Sequence, residues 1–454
     1  QDTTDTEQHG KRTLTLTKAE APPLLDGRLD DAAWRNIQVI ENFIQKDPDQ
    51  GMAASQRTEV RALYDDENLY FGVRCLDTQA DRILATELRR DNGFENDDSF
   101  AIILDTFHDH RNAFLFRINP RGTQYDALVT DEGRDLNVSW DEKWEVETRI
   151  EEDGWYAEIR IPLKSLRYAS GKDATSFGVD FERIIRRDNE FTYWNNFSRD
   201  FQFEKVSQAG HLEGLGGLGS SLTLRIKPYL SSRIVTRGSS DRNTAFLGDI
   251  GLEDLKLPLT SGLTLDLTLN TDFAQTEVDD QVINFDRVPV FFPEKREFFL
   301  EGRGIFDFAR GVSISRRTSA LRQFGDVPRG FFGGENTPTL FYSRRIGLEN
   351  GVMVPIVGGG RVTGKIGRFD VGALNIQTDA EQISHAEATN FTVVRIKRDI
   401  LRRSSLGAML TNRSASTVGH GSSRAYGADA TFSFYDNVSL VSYLARTQTP
   451  DHHG

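Results

Sequence analysis

Asn270-Thr-Asp-Phe-Ala-Gln-Thr-Glu-Val-Asp-Asp-Gln-Val-Ile-Asn-Phe-Asp-Arg-Val-Pro-Val-Phe-Phe-Pro-Glu-Lys-Arg-Glu-Phe-Phe-Leu-Glu-Gly-Arg303 divides the chain. It follows a strand of clean alternation, in which Leu263, Leu265, Leu267 and Leu269 oppose Thr264, Asp266, Thr268 and Asn270. Period two is then abandoned. Between 291 and 301, Glu294, Lys295, Arg296, Glu297 and Glu301 sit among aromatics, and on a strand their charges would fall on both faces. The segment, about 271–303, reads as an ordered loop or short helix, a plug held against something that satisfies both signs of charge. Upstream lies an acidic region carrying all the tryptophans; downstream come long alternating segments with none.

Working outward toward the N-terminus, residues 1–12 are polar and unpatterned, a flexible lead. Thr13 to Thr17 alternates as a short strand, and Asp30 or Asp31 opens a short helix ending at Trp34. Period-two runs then recur at Glu59–Leu63, Leu69–Leu76, Ser99–Asp105, Ala113–Asn119, Gln124–Leu128, Trp144–Ile150, Trp155–Pro162 and Ser176–Ile184, separated by turn signals such as Asn119-Pro-Arg-Gly122. That spacing predicts an antiparallel β-sandwich over 13–209. Gly210 to Ser220 is Gly-rich and nearly uncharged, which predicts a linker. From 221 to 454 the strands lengthen toward the roughly 9–11 residues of a tilted membrane strand, and about ten candidates fit. An all-β chain results: a sandwich followed by an outer-membrane-type antiparallel barrel, the alternative being a large soluble β-domain. With no Trp after Trp194, the girdles of such a barrel would be Tyr and Phe. The sequence stops at Gly454 directly after a strand, so the expectation is a barrel incomplete in this chain, since open edges are not tolerated in lipid.

Asp272-Phe-Ala-Gln275, Phe291-Phe-Pro-Glu-Lys-Arg296 and Phe298-Phe-Leu-Glu-Gly302 resemble the signature of a family of bacterial surface proteins. These carry an N-terminal domain similar to carbohydrate-binding module family 9 and a C-terminal β-barrel region, the DUF5916 group. Thr339–Gly347, Gly360–Lys365, Phe391–Arg398 and Ser405–Met409 are similar to the same C-terminal region, and residues 20–200 resemble the sugar-binding module more loosely. The resemblance implies a sugar reader at the cell envelope. The family's founding modules hold a sugar between two Trp rings; here one Trp aligns and not two.

Composition sets further bounds. Hydrophobic residues make up 38% and mean hydropathy is −0.47. No run approaches the roughly 18 apolar residues of a spanning helix. Formal charge is −16 over residues 1–220 and +3 over 221–454, so the first half repels nucleic acid, which is not expected as a partner, and is of the sign that attracts calcium. Gln1 in place of Met leads us to expect a mature chain whose signal peptide is removed, on the way to the outer membrane of a Gram-negative bacterium. The lone Cys75 lies in a strand pattern and reads as a small buried hydrophobe.

Sugar recognition needs flat aromatic faces and planar polar side chains. Trp140 and Trp144 stand four apart and share a face on a regular strand; with Trp140 in the loop, it is the expected stacking platform, Trp144 the expected core residue. Trp155 reads as core and Trp194 as either. Arg90, Asp97 and Asp98 in a dense polar loop, with Asn119 and Asp126, are the expected hydroxyl ligands, the alternative being a solvated loop. Asp97 and Asp98 are also the candidate calcium ligands by residue type, although no EF-hand spacing is present. His108 and His110 come without a Cys or an Asp at zinc-site spacing, so transition-metal binding is not expected. The carboxylates of 277–301 interleave with Arg and Lys, which favours salt-bridged structure over a catalytic pair.

The sequence therefore predicts a glycan-binding outer-membrane protein, not an enzyme, whose sandwich reads an oligosaccharide and whose barrel meets lipid as an anchor or pore. Two other classes stay open: a glycoside hydrolase using carboxylates in 277–301, and an assembly component whose sandwich binds a protein partner in a membrane complex.

Overall fold

The computed structural model describes residues 12–130, 132–133, 135–138, 140–168, 175–195, 199–216, 224–237, 243–260, 262–271, 294, 296–300, 302–309, 338–349, 352–382, 384–401, 404–416, 420–434 and 438–450. The chain forms two compact units, residues 1–221 and 222–454.

The first unit contains β1 (Thr13–Thr15), β2 (Thr17–Lys18), β3 (Ile44–Asp47), β4 (Thr58–Tyr64), β5 (Asn68–Leu76), β6 (Ser99–Asp105), β7 (Ala113–Ile118), β8 (Gln124–Thr130), β9 (Asp135–Asn137), β10 (Glu145–Glu151), β11 (Gly154–Pro162), β12 (Thr175–Ile185), β13 (Glu190–Tyr193) and β14 (Gly210–Leu215). The front sheet runs β1-β14-β12-β6-β7-β8-β9, with β13 on β12 and β3 on β13; the back sheet runs β10-β11-β5-β4-β2. Both are antiparallel except for β1 on β14 and β2 on β4. The alternating apolar residues meet between the sheets: Phe71, Val73, Phe100, Ile102, Phe116, Trp155, Ile159, Phe177 and Phe181 all belong to one buried cluster. Cys75 lies in it too, and burial pushes its thiol up to about 12, leaving it an inert filler.

Two buried charges tie the sandwich together. Arg183 reaches from β12 to the back sheet, donating to the carbonyls of Arg57 (3.0 Å) and Leu76 (2.9 Å) and to Thr58 Oγ1 (3.2 Å). Glu158, fully buried on β11, accepts from the Asp26 and Gly27 amides (2.8 and 2.9 Å) and from Trp34 Nε1 (2.8 Å). It thereby docks the Asp26–Trp34 segment, whose Trp34 packs with Leu63 and Tyr70 in a separate cluster on the outer side of the back sheet.

The linker expected at 210–220 is corrected at its start. Gly210–Leu215 is β14, between β1 and β12. Gly210 and Gly214 serve close approach: a Cβ at Gly210 would lie 2.5 Å from the Arg12 carbonyl, and Gly214, with φ +89°, would put one 2.7 Å from that of Leu16. Residues 217–223 lie outside the described set, as do residues 1–11 of the expected lead.

The second unit is a nine-stranded antiparallel sheet of β15 (Arg225–Arg237), β16 (Asn243–Thr260), β17 (Leu263–Thr271), β20 (Ile356–Ile366), β21 (Phe369–Thr378), β22 (Thr389–Asp399), β23 (Ser405–Arg413), β24 (Ser423–Phe434) and β25 (Val438–Gln448), in that order, with a small ribbon of β18 (Leu348–Glu349) and β19 (Val352–Met353) beside it. Among the described residues β15 and β25 each pair on one side only. Its outward face is largely apolar, and its covered face mixes charged with apolar residues. Leu230, Leu269, Ile366, Ile396, Leu410 and Leu444 are exposed, whereas Asp266, Arg361, Thr363, Arg395 and Met409 are buried. The buried face is covered by the pivot segment, where Phe298, Phe299, Phe306 and Phe308 pack with Leu374, Ile376, Val393 and Met409.

Deleting the Glu158 carboxylate strands three donors, two of them buried. Glu158→Ala should lower the unfolding free energy of the first unit by about 3 kcal/mol, at roughly 1 kcal/mol or more per orphaned donor. Denaturant titration followed by tryptophan fluorescence measures this; a loss under about 0.5 kcal/mol would show that the Asp26–Trp34 segment is held by something else.

Candidate functional site

The front sheet puts Phe177, Val179 and Phe181 of β12 into the core, which aims Asp180 and Glu182 at the opposite, outer face. On β7 the same alternation buries Phe114, Phe116 and Ile118 between the sheets and sends Ala113, Leu115 and Arg117 outward. An outer face is ordinarily solvated, but here it forms a second cluster in which Ala101, Ile103, Leu115, Ala127 and Val129 are covered by Tyr193, Phe203 and Val206.

Polar groups converge inside that cover. Arg117 Nη2 lies 2.6 Å from Glu182 Oε1. Lys46 from β3 stands 5.6 Å over the Tyr193 ring and donates to Gln202 Oε1 at 3.3 Å. Tyr193 stacks on Phe203 at 5.6 Å and 16°, and Tyr125 meets Phe94 at 6.4 Å. Burial pushes Glu182 up against the pull of Arg117, lowers Lys46, and raises the Tyr193 phenol well above its ordinary range. The Arg117 side chain keeps 20% exposure and Gln202 is exposed, so the cluster has an open rim. A guanidinium, a carboxylate, an amide and aromatic rings in one place are the groups that grip vicinal hydroxyls and the C–H face of a ring. Sequence reading missed this set. Its trace was the charged partner in the alternation Val179-Asp-Phe-Glu182, in a strand central to the sheet.

The residues expected from the sequence are placed elsewhere and fall into separate groups. Trp140 is buried against Phe114 (5.1 Å) and Phe116 (6.0 Å), so its face is spent on the core and not on a ligand. Trp194 is buried against Phe181 at 5.7 Å, again a core residue. Trp144 packs on Phe116, and its Nε1 donates to Asp126 Oδ1 at 3.2 Å.

Asp97 and Asn119 meet at 2.9 Å, and Asp97 also accepts from Thr86 N, Thr86 Oγ1 and Glu87 N. Both its oxygens are spent on shaping the loop, which corrects its assignment as a calcium or hydroxyl ligand. Asn119 Oδ1 likewise accepts from the Arg121 and Thr123 amides. Asp98 points away from Asp97, accepts from Arg186 N at 2.7 Å, and is pushed up to about 6 by burial, so the two carboxylates do not share an ion. Arg90 and Asp126 do come together: Arg90 Nη2 is 2.7 Å from Asp126 Oδ1, Asp141 Oδ1 and the Glu142 carbonyl. Asp91, Asp126 and Asp141 offer oxygens within 4.8 Å of one another, but the Arg90 guanidinium is bonded to all three side chains.

In the second unit Glu294 and Arg296 form a buried bidentate pair (2.7 and 2.6 Å), with Arg296 also donating to the Ser343 and Ile346 carbonyls and Ser343 Oγ to Glu294. Arg296 stacks 4.1 Å above Phe299. Lys295, Glu301 and the Glu297 side chain lie outside the described residues, as does the Glu277–Asp286 group.

Asp180 is fully buried beside the outer face; burial drives its carboxyl up to about 8 despite bonds from the Phe181 and Asn195 amides. The folded chain therefore holds this proton more tightly than the unfolded chain, whose carboxyl titrates near 3.8. The stability this contributes is full below about pH 4 and is lost as pH rises through about 8. Asp180→Asn should flatten that decline and leave the variant more stable than the parent above about pH 8; parallel calorimetric profiles would place the proton loss on another group.

Residues 25–208 match the model described as "Carbohydrate family 9 binding domain-like", and residues 220–323 match "Domain of unknown function (DUF5916)". No curated protein matches the chain. Among solved structures, the chain is similar to a carbohydrate binding module family 9 from Caldicellulosiruptor kristjanssonii in complex with glucose, at 17% identity over 44% of this chain and 95% of that one, TM-score 0.34. The same organism's module in complex with cellotriose aligns at 16% identity over 47% and 98%, TM-score 0.34. A putative carbohydrate-binding protein from Bacteroides uniformis aligns at 11% identity over 44% and 98%, TM-score 0.38. The two model matches follow one another along the chain, the carbohydrate family 9 binding domain-like match first and the DUF5916 match second.

Proposed function

We propose that this protein binds glycan through the outer face of its front sheet and is held in the outer membrane of a Gram-negative bacterium by its second unit. The match to the carbohydrate family 9 binding domain-like model carries the glycan reading. The half-buried Arg117–Glu182 pair with Tyr193, Lys46 and Gln202 at an aromatic-lined rim supports the outer face as the place. An oligosaccharide is the ligand class that uses paired donors and acceptors beside flat rings.

The membrane reading rests on the apolar outward face and on the ion pairs buried behind it. A water-exposed sheet hides its leucines; this one exposes Leu230, Leu269, Ile366, Leu410 and Leu444 and buries arginine and aspartate. That is the arrangement of a wall between lipid and a polar lumen, with the Phe298–Phe308 segment as a plug. In this reading the nine strands are a section of an outer-membrane-type barrel that serves as anchor or conduit.

Calorimetric titration of the full chain in detergent with cello-oligosaccharides tests the first half. Arg117→Met should weaken binding about tenfold or more, the scale of a lost charged contact in a buried site. Trp140→Ala should act mainly on stability, lowering it by about 3–5 kcal/mol as a core truncation. Binding untouched by Arg117→Met would move the site off the outer face.

The second half predicts different magnitudes in lipid and in water for one substitution. Leu444, exposed at 78%, should tolerate Arg at a cost within about 0.5 kcal/mol if it faces water. In a bilayer, Leu444→Arg should cost up to about 2–4 kcal/mol, read as urea-dependent loss of heat-resistant, vesicle-inserted protein. No difference between the variants would argue for the soluble β-domain.

A further inference from the structure

Away from the outer-face cluster, three imidazoles gather from two distant segments. His108 and His110 lie in the turn joining β6 to β7, and His211 lies on β14, a hundred residues on. His108 Nε2 stands 3.1 Å from His211 Nδ1, and the His110 ring centroid is 4.8 Å from that of His108. All three are half-buried.

The turn is built to present them. Asp105, buried at the end of β6, accepts from the Asp109 amide (3.1 Å) and the His110 amide (2.7 Å), closing the loop on its own carboxylate. His108 and His110 both sit in the left-handed region, at φ +51° and +60°, conformations that cost side-chain-bearing residues free energy. With both residues left-handed, the two rings lie side by side, edge to face at 72°. The other nitrogen of His108, Nδ1, contacts Ser176 Oγ at 3.1 Å. A proton on Nδ1 donated to Ser176 leaves the Nε2 lone pair directed at His211, the outer contact that fixes a ligating histidine's tautomer.

We propose that His108 and His211, with His110 swinging in as third ligand, bind one borderline transition-metal ion of the zinc or copper(II) class. Two imidazole nitrogens on one zinc, each at about 2.0–2.1 Å with tetrahedral angles, stand about 3.3–3.4 Å apart. The observed 3.1 Å is within a few tenths of that spacing. Nitrogen-only donors select zinc, copper or nickel over calcium and magnesium, which take oxygen. Spacing along the chain conceals such a site, because its third donor is separated from the first two by a hundred residues and is brought in by the β12–β14 pairing. The ion would staple the β6–β7 turn to β14, and so stabilise the first unit by binding its folded form alone.

The test uses the full chain in which His9, His385, His420, His452 and His453 are replaced by glutamine, so that only the clustered imidazoles remain. Zinc chloride and copper(II) sulfate are titrated separately by calorimetry, with thermal unfolding followed in parallel. The expected result is one ion per chain, a rise in Tm with metal, and about tenfold or greater weakening in His211→Gln. Ser176→Ala, a positioning change, should weaken binding by less and leave the Tm without metal unaltered. Electron paramagnetic resonance of the copper-loaded parent gives a readout independent of any variant at the cluster, since imidazole nitrogen coupling can come only from these three rings. Absence of nitrogen coupling, or affinity unchanged in His211→Gln, would reduce the cluster to an imidazole–imidazole hydrogen bond and overturn the proposal.

Discussion

A charge on the face of a β-sheet must be matched before anything can cover it, because an unpaired buried ion costs several kcal/mol. Both units of this protein accept that constraint and then cover the face. In the first, Arg117 meets Glu182 under Tyr193, Phe203 and Val206. In the second, Arg361 donates to Asp266 (Nε, 3.0 Å) and Arg395 to Asp429 (Nη2, 2.8 Å) under the phenylalanines of the pivot segment. The covering rings are themselves partners: Phe298 lies 5.0 Å from the Arg361 guanidinium and Phe308 5.7 Å from that of Arg395. Each such contact is worth about 0.5–2 kcal/mol, more when desolvated. Arginine suits this use, since its planar fork keeps its bonds to carboxylate while its face stacks on a ring.

This explains what could be read from the residues and what could not. Strand positions were legible, because period two survives any packing: Ser99–Asp105 is β6 to the residue, and Gly154–Pro162 begins one residue before the run read from Trp155. Which face is wet is not carried by the period. A sandwich strand and a lipid-facing strand share one alternation, and the assignment of inside depends on what lies across from it. Nothing in the period shows that the outer face of the front sheet is covered, as it is by Tyr193, Phe203 and Val206. Trp140 was misplaced, and Trp194 left open between core and ligand, for a related reason. They sit in irregular segments, where no period speaks, and the core reaches them through Phe114, Phe116 and Phe181. Gly210 and Gly214 carry the opposite lesson: glycine marks either freedom or crowding, and here the carbonyls of Arg12 and Leu16 pressing on β14 decide for crowding.

The acidic balance of the first half has a structural use distinct from ion capture. Asp91, Asp126 and Asp141 gather round Arg90, and Asp77 takes a bidentate bond from Arg187 at 2.7 and 2.8 Å. Burial can outweigh such partners: Asp126 is pushed up to about 6 although Arg90 bonds it, and Asp180 to about 8 despite the amides it accepts from. These raised carboxyls make the first unit sensitive to pH. Binding at the outer face would inherit that sensitivity through Glu182, which burial raises and Arg117 holds down. A hydroxyl-rich ligand that inserts between the two replaces one partner of each ion with neutral groups. The ligand therefore has to return, in hydrogen bonds to both, what the pair gives up. In the proposed reading that requirement favours rigid, closely spaced hydroxyls over a flexible polyol, and the Arg117–Glu182 contact is where specificity would be set.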